Sequence, residues 1–386
     1  MIKEHEKRLN LLKERLDNLK EETPSEGSKD SQTDLAVEAS QKPIVATEKE
    51  LGQEADRPSG PVGIDIGTTH IAVAQNKRNH INLVKQLNAF FTIPESNFTR
   101  NILRQNDVTF FEQDGLFYII GYSAEGFANM FAANTRRPME RGLLSANEPY
   151  AIKVINAIIS TLILKPKNFG ETICFGVPGP YIDGTGSVVY HESVIKRLLS
   201  SMGYTPVAIN EGLAVVMSEL ADEAFTGIGI SMGGGMCNVC LSYISVPVVT
   251  FSIQKAGDYI DAMAGISVGE SATKMKLIKE GGLDLLKEPR SRITLALHIF
   301  YEELIFNLVE SLHNVLSSTD RIPKISGPIP VVLSGGTAIP GGVKEKFESA
   351  LKTVRLPVEI SSVRIAEDPL HATAKGALIK GMSEGE

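Results

Sequence analysis

The chain of 386 residues carries a formal charge of −7, with 42% hydrophobic and 22% charged residues, a balance that supports two globular domains around a sizeable core. Its acidic excess and pI near 5.7 exclude a general nucleic-acid binder, which concentrates basic side chains against phosphate. No apolar run reaches the roughly 18 residues of a spanning helix and the opening MIKEHEKRLN has no apolar signal core, so a cytoplasmic location is expected.

The first predicted element is a short helix over 1–22, where Leu9, Leu12, Leu16 and Leu19 form an a/d seam among charged residues. That stripe suits pairing with a partner helix better than membrane insertion, and no basic anchoring patch accompanies it. Residues 23–60 are polar, rich in Ser, Glu and Lys, and too poor in apolar groups to offset their ordering entropy; a disordered linker is expected. From Pro61, short apolar strands alternate with helix-length amphipathic stretches, which predicts an α/β architecture.

PVGIDIGTTHIAVAQN reads as two strands around a tight turn. Asp65 at the strand end can hold a hydrated magnesium ion, while Gly67 lets the chain turn so that Thr68 and Thr69 reach phosphate oxygens. His70 is expected to pack within the following strand. A hairpin is predicted around Asp114-Gly115, then a helix over 151–164 and a strand in ETICFGVP. Glu211, in INEGLA, enters a helix; it suits the helix dipole there, and it also suits polarising a water toward a γ-phosphate. GISMGGGMCNV follows as a strand, a turn of Gly233, Gly234 and Gly235, and a second strand. Only glycine lets successive amides close around an anion without Cβ clashes. Ser231 stands where a carboxylate would direct magnesium. This second glycine turn resembles the first, suggesting an internal duplication that grips phosphates from both sides.

Three cysteines occur, Cys174, Cys237 and Cys240. The last two lie three apart in a strand-like run, on opposite faces and without further ligands nearby, so structural roles are expected rather than a metal or redox pair. PVVTFSIQ is a further strand, 293–316 a long apolar helix, and PVVL leads into Gly335, Gly336 and Thr337, a glycine turn flat enough for adenine and ribose.

In this order, DIGTTH, INEGLA, SMGGGMCN and LSGGTAIPGG resemble the phosphate, connecting and adenosine motifs of the actin-like ATPase superfamily. Within it, RRPMERG at 136–142, AGDYID at 256–261 and AEDPL at 366–370 resemble stretches of the bacterial MreB type. The resemblance covers about residues 61–382. It implies a duplicated, ribonuclease H-like two-domain fold with a nucleotide cleft, domain I at 61–205 completed by about 365–386, and domain II at 206–364. It also implies ATP and magnesium as ligands, Asp65 at the metal, Gly257 and Asp258 among the nucleotide contacts, adenosine between 335–337 and a helix carrying Thr273 and Lys276, and self-association into filaments.

Departures from the family pattern concentrate at the phosphates. Ser231 and Met236 replace the usual Asp and Thr, Gly212 a Pro, and Thr273 a ribose-binding Glu. Binding with weak or slow hydrolysis, resting on Asp65 and Glu211, is therefore expected. Two alternatives stay open. GVPGPYID at 176–183 resembles repressor/kinase-type sugar kinases, although Asn210-Glu211 stands where those enzymes carry a catalytic Asp. A nucleotide-binding adaptor, tethered through the N-terminal segment to a protein partner, also fits.

Overall fold

The computed structural model describes residues 13–14, 57–77, 80–131, 133–182, 187–320 and 322–384. The expected coiled-coil helix, apart from Lys13 and Glu14, which are helical, and the expected linker up to residue 56 therefore lie outside the described residues, as does Asp183. Residues 57–60, the end of that linker, are instead bonded to the first half, Pro58 O accepting from Lys167 N at 2.8 Å and Gly60 N donating to Glu171 at 3.0 Å.

The first half opens with β1 (Val62–Ile66), β2 (His70–Lys77) and β3 (His80–Leu87), antiparallel neighbours whose register runs from Val62↔Gln75 to Ile66↔Ile71 between β1 and β2. Next come β4 (Phe90–Pro94), α1 (Asn97–Gln105), β5 (Phe110–Gln113), β6 (Leu116–Ile120) and α2 (Tyr122–Met130). β4, β6 and β5 make a small sheet of their own. Asp114 and Gly115, both at positive φ (51° and 73°), join its last hairpin as the sequence predicts. The short pair β7 (Met139–Glu140) and β8 (Leu143–Leu144) precedes α3 (Ala151–Leu162), β9 (Thr172–Val177), α4 (Val188–Ser201) and β10 (Thr205–Asn210).

The second half begins at α5 (Glu211–Glu219) and continues through β11 (Gly227–Met232), β12 (Cys237–Tyr243), β13 (Val246–Ile253), α6 (Gly257–Val268), α7 (Ala272–Glu280) and α8 (Arg292–Ser317). It closes with β14 (Ile329–Ser334), α9 (Val343–Leu351), β15 (Ile360–Ile365) and α10 (Ala372–Ser383).

The two five-stranded sheets have one topology. Their orders, β3-β2-β1-β9-β10 and β13-β12-β11-β14-β15, share the same sense of pairing at every step, antiparallel between the first three strands and parallel between the last three. The halves differ in what is inserted after the third strand: small strands and α1 to α3 in one, the helices α6 to α8 in the other. On β12, Cys237 and Cys240 enter different hydrophobic clusters on opposite sheet faces, which is the strand alternation expected of them.

Two helices pack between the sheets. α10 lies on β1 and β9 and crosses α5 so closely that a Cβ on Gly376 would sit 1.7 Å from Ala214 O, and one on Gly63 2.1 Å from Ala374 O. Gly212 in α5 touches β12, where a Cβ would come within 2.6 Å of Cys240 N. That contact is the physical reason a side chain is absent at the position where the motif family carries proline.

Candidate functional site: a cleft built from two glycine turns

The carboxyl ends of β1, β11 and β14 open on one cavity of about 440 Å³, the place where open α/β sheets hold ligands. β1 delivers Asp65 and the turn of Gly67, Thr68 and Thr69; β11 delivers Ser231 and the turn Gly233 to Gly235; β14 delivers Gly335, Gly336 and Thr337. Glu211 reaches it from the first turn of α5, Gly257 and Asp258 from the start of α6, and Lys276 from α7.

The first two turns meet face to face. A Cβ on Gly234 would fall 2.2 Å from Thr69 Oγ1, and one on Gly235 would fall 2.4 Å from Thr68 Oγ1. Gly233 N bonds Met236 O to close its own turn, while Gly233 O accepts from Gly257 N at 3.1 Å and Thr337 Oγ1 at 2.7 Å, and Gly234 O accepts from Asp258 N at 2.8 Å. With those carbonyls engaged elsewhere, the amides of Thr68, Thr69, Gly234 and Gly235 find no acceptor among the described residues. Adjacent unpaired amides on glycine turns make an anion-binding concavity.

Asp65 and Glu211 face each other below the turns. Both come close to the point a Cβ on Gly176 would occupy, Glu211 Cγ at 3.2 Å and Asp65 Oδ1 at 3.5 Å. Burial drives both carboxyls above their usual range, and repulsion from Asp65 drives Glu211 further. Neither carboxyl has an ion-pair partner among the described residues. Glu211 Oε2 accepts from Asn238 Nδ2 at 2.8 Å and, weakly, from Ser231 Oγ at 3.4 Å. Asn238 is fully buried, and its own oxygen accepts from Gly179 N at 3.1 Å and Ser252 Oγ at 2.5 Å. The amide is therefore locked with its NH₂ toward Glu211.

This donor set fits a divalent cation whose shell is completed by water and phosphate. Two neighbouring carboxylates without a counter-charge are what a hydrated magnesium ion neutralises, and no cluster of three or more His, Cys, Asp or Glu residues able to hold a metal occurs among the described residues.

Further groups around the cleft make contacts that the sequence does not reveal. Arg137 bonds both carboxylate oxygens of Asp258 at 2.9 Å, joining the loop before β7 to α6 across the cleft. Lys279 pairs with Asp261 at 2.7 Å and bonds Gly257 O at 3.1 Å, both side chains being under a tenth exposed. Asp261 Oδ1 has no partner among the described residues, and burial raises its carboxyl to about 6 despite Lys279. His70, expected as a strand-packing residue, instead lines the cavity; burial and the charges of Lys85, Lys276 and Arg137 lower it to about 3. It is neutral at physiological pH.

Thr273 is the one sequence-assigned residue the cavity lacks. It sits exposed in the first turn of α7, with Oγ1 3.4 Å from Asn134 Oδ1, and lines a neighbouring pocket of about 500 Å³ with Arg137 and Asp258. Lys276, one turn later, borders both cavities.

Comparison with known proteins agrees with this construction. No curated protein matches the chain. Among solved structures it is similar to a MamK double helical filament (19% identity, TM-score 0.61, covering 82% of this chain and 97% of that one). It is also similar to MreB5 of Spiroplasma citri bound to AMPPNP (15%, 0.61, 86% and 99%), and to the ethanolamine utilization protein EutJ of Carboxydothermus hydrogenoformans (16%, 0.50, 83% and 90%). At these identities the likeness establishes an actin-like fold, as the motifs imply. The Volactin family profile matches residues 61–381, and the chain belongs to that family.

Proposed function

We propose that this chain binds ATP with magnesium in the cleft, assembles into filaments in the cytoplasm, and hydrolyses the nucleotide slowly. The observation that carries the reading is the meeting of the two glycine turns, each from an equivalent strand of an equivalent sheet, with unpaired amides beside a carboxylate pair. Thr68, Thr69, Gly234 and Gly235 would hold phosphate oxygens; Gly335, Gly336 and Thr337, opposite Lys276, would take adenosine. Asp65 would hold the metal, which neutralises charge on the terminal phosphates. Glu211, oriented by Asn238, would polarise the attacking water. Ser231 supplies a hydroxyl where a second charge would bind metal more strongly, which supports slow turnover.

Filament formation is supported by the shared fold with MamK, whose structure is a double helical filament. Nucleotide binding is supported by the shared fold with MreB5, solved with AMPPNP. The sugar-kinase alternative lacks its catalytic group: Asn210 caps α5 through Leu213 N and Glu211 is held by Asn238. Electron microscopy of the purified chain with ATP and magnesium tests the proposal. Filaments that need both ligands are expected, and a monomeric protein under all nucleotide conditions would refute it.

A further inference from the structure

The outward face of α8 carries Glu303, whose carboxylate is 16% exposed and collects three donors. Tyr259 Oη lies at 2.5 Å and Lys255 Nζ at 3.3 Å, both from the start of α6 and the segment before it. The third is Lys13 Nζ at 2.9 Å, 290 positions earlier in the chain. Burial pushes this carboxyl up, but the bonds from Tyr259 and Lys13 and the charges of Lys13 and Lys255 outweigh it and hold it below its usual range.

A second observation lies one turn along the same face. Asn307 Oδ1 is shielded from water and has no donor among the described residues. Beside it, α6 places Tyr259 and Met263 on one stripe, both partly buried against the core of the second half, whereas Ile266, 75% exposed with Lys13 already on Glu303, lies outside the contact. Lys13, for its part, belongs to the leucine-striped segment. With Leu9 and Leu16 at a and Leu12 and Leu19 at d, residue 13 is an e position, the kind that flanks an apolar seam and pairs with charge on the facing helix.

We propose that residues 1–22 dock in cis on the face formed by α6 and α8, with the leucine seam toward Tyr259 and Met263 and Lys13 on Glu303. A partly exposed ion pair contributes little by itself. The apolar stripe holds the segment, and the charge pair sets its register. The helix partner that the seam calls for is then the body of its own chain, and the seam becomes available to another protein only when displaced from α8.

Zero-length carbodiimide coupling of the dilute full chain, followed by peptide mapping of the monomer band, tests this directly. A Lys13–Glu303 cross-link is expected there and should disappear in Glu303→Gln. Lys13 is 43% exposed, so Lys13→Glu leaves the core intact; it should increase hydrogen exchange over Tyr259 to Met263, and adding Glu303→Lys should restore protection. The absence of the cross-link from the monomer, its presence only in a dimer band, or unchanged exchange in Lys13→Glu would each overturn docking in cis. All of these readouts are independent of nucleotide.

Discussion

Asp65 and Glu211 set the pH behaviour of the nucleotide-free protein. Both carboxyls keep their proton to higher pH in the folded chain than in the unfolded one. Over that interval the folded state binds more protons, so stability is fully present in acid and is lost as pH rises from about 4 toward neutrality and beyond. Asp65→Asn should therefore raise the apo melting temperature at pH 8, on the order of 2–4 °C for each kcal/mol recovered, while abolishing any magnesium-dependent stabilisation. Thermal scans at pH 5 and pH 8 check both halves, and a wild-type curve that is flat across this range would contradict the assignment. If Glu211 polarises water, Glu211→Gln should lower ATP turnover about 100-fold or more without loss of nucleotide affinity. Asn238→Leu should lower turnover as well and, because it removes a donor to the carboxylate, move the acid limb of the pH–rate profile upward. Asn238 illustrates what the sequence conceals: it is an ordinary strand residue until β12 brings it to Glu211, 27 positions away. His70 is a similar case, since its place after the turn does not reveal that the strand begins by facing the cleft.

At the scale of elements, the periodic signals were the legible ones. Helices expected over 151–164 and 293–316 occur at Ala151–Leu162 and Arg292–Ser317, and each strand ending in a glycine turn was visible as an apolar run. Such patterns are local, so one chain segment is enough to specify them. Close approaches between elements are not local. The crossing of α5 and α10 at Gly376 and the contact of Gly212 with β12 need two backbones to be placed before the missing side chain has meaning. Gly376→Ala should destabilise the protein by about 1–3 kcal/mol or more through overpacking, measured by urea unfolding. A midpoint equal to that of the parent would mean that the two helices can separate without cost. Thr273 shows the same limit: the resemblance implies the helix α7, but not that its first turn places Thr273 toward Asn134 while Lys276, one turn later, borders the cavity.

For the whole molecule, the identical topology of the two sheets explains why one cleft has two similar turns: the duplicated halves each contribute a glycine turn to it. The duplication was readable from the paired motifs, whereas the bonds joining the halves were not. Arg137 and Asp258, 121 positions apart, connect them across the opening. Their side chains are 26% and 39% exposed, so water and salt screen the pair and its contribution is about 0.2–1 kcal/mol. Arg137→Gln should accordingly speed release of a fluorescent ATP analogue by a few-fold at low salt and by less at high salt; a rate unaltered at every ionic strength would show that the bridge does not restrain the opening.

The central claim is that the two glycine turns grip the phosphates of a nucleotide. Calorimetric titration of ATP into the parent chain and into Gly234→Ala, with and without magnesium, tests it most directly, because the added Cβ intrudes only where the turns meet. Saturable, magnesium-dependent binding to the parent and at least a tenfold loss in the variant, about 1.4 kcal/mol, are expected. Equal affinity in the two proteins, or no binding to the parent, would contradict it.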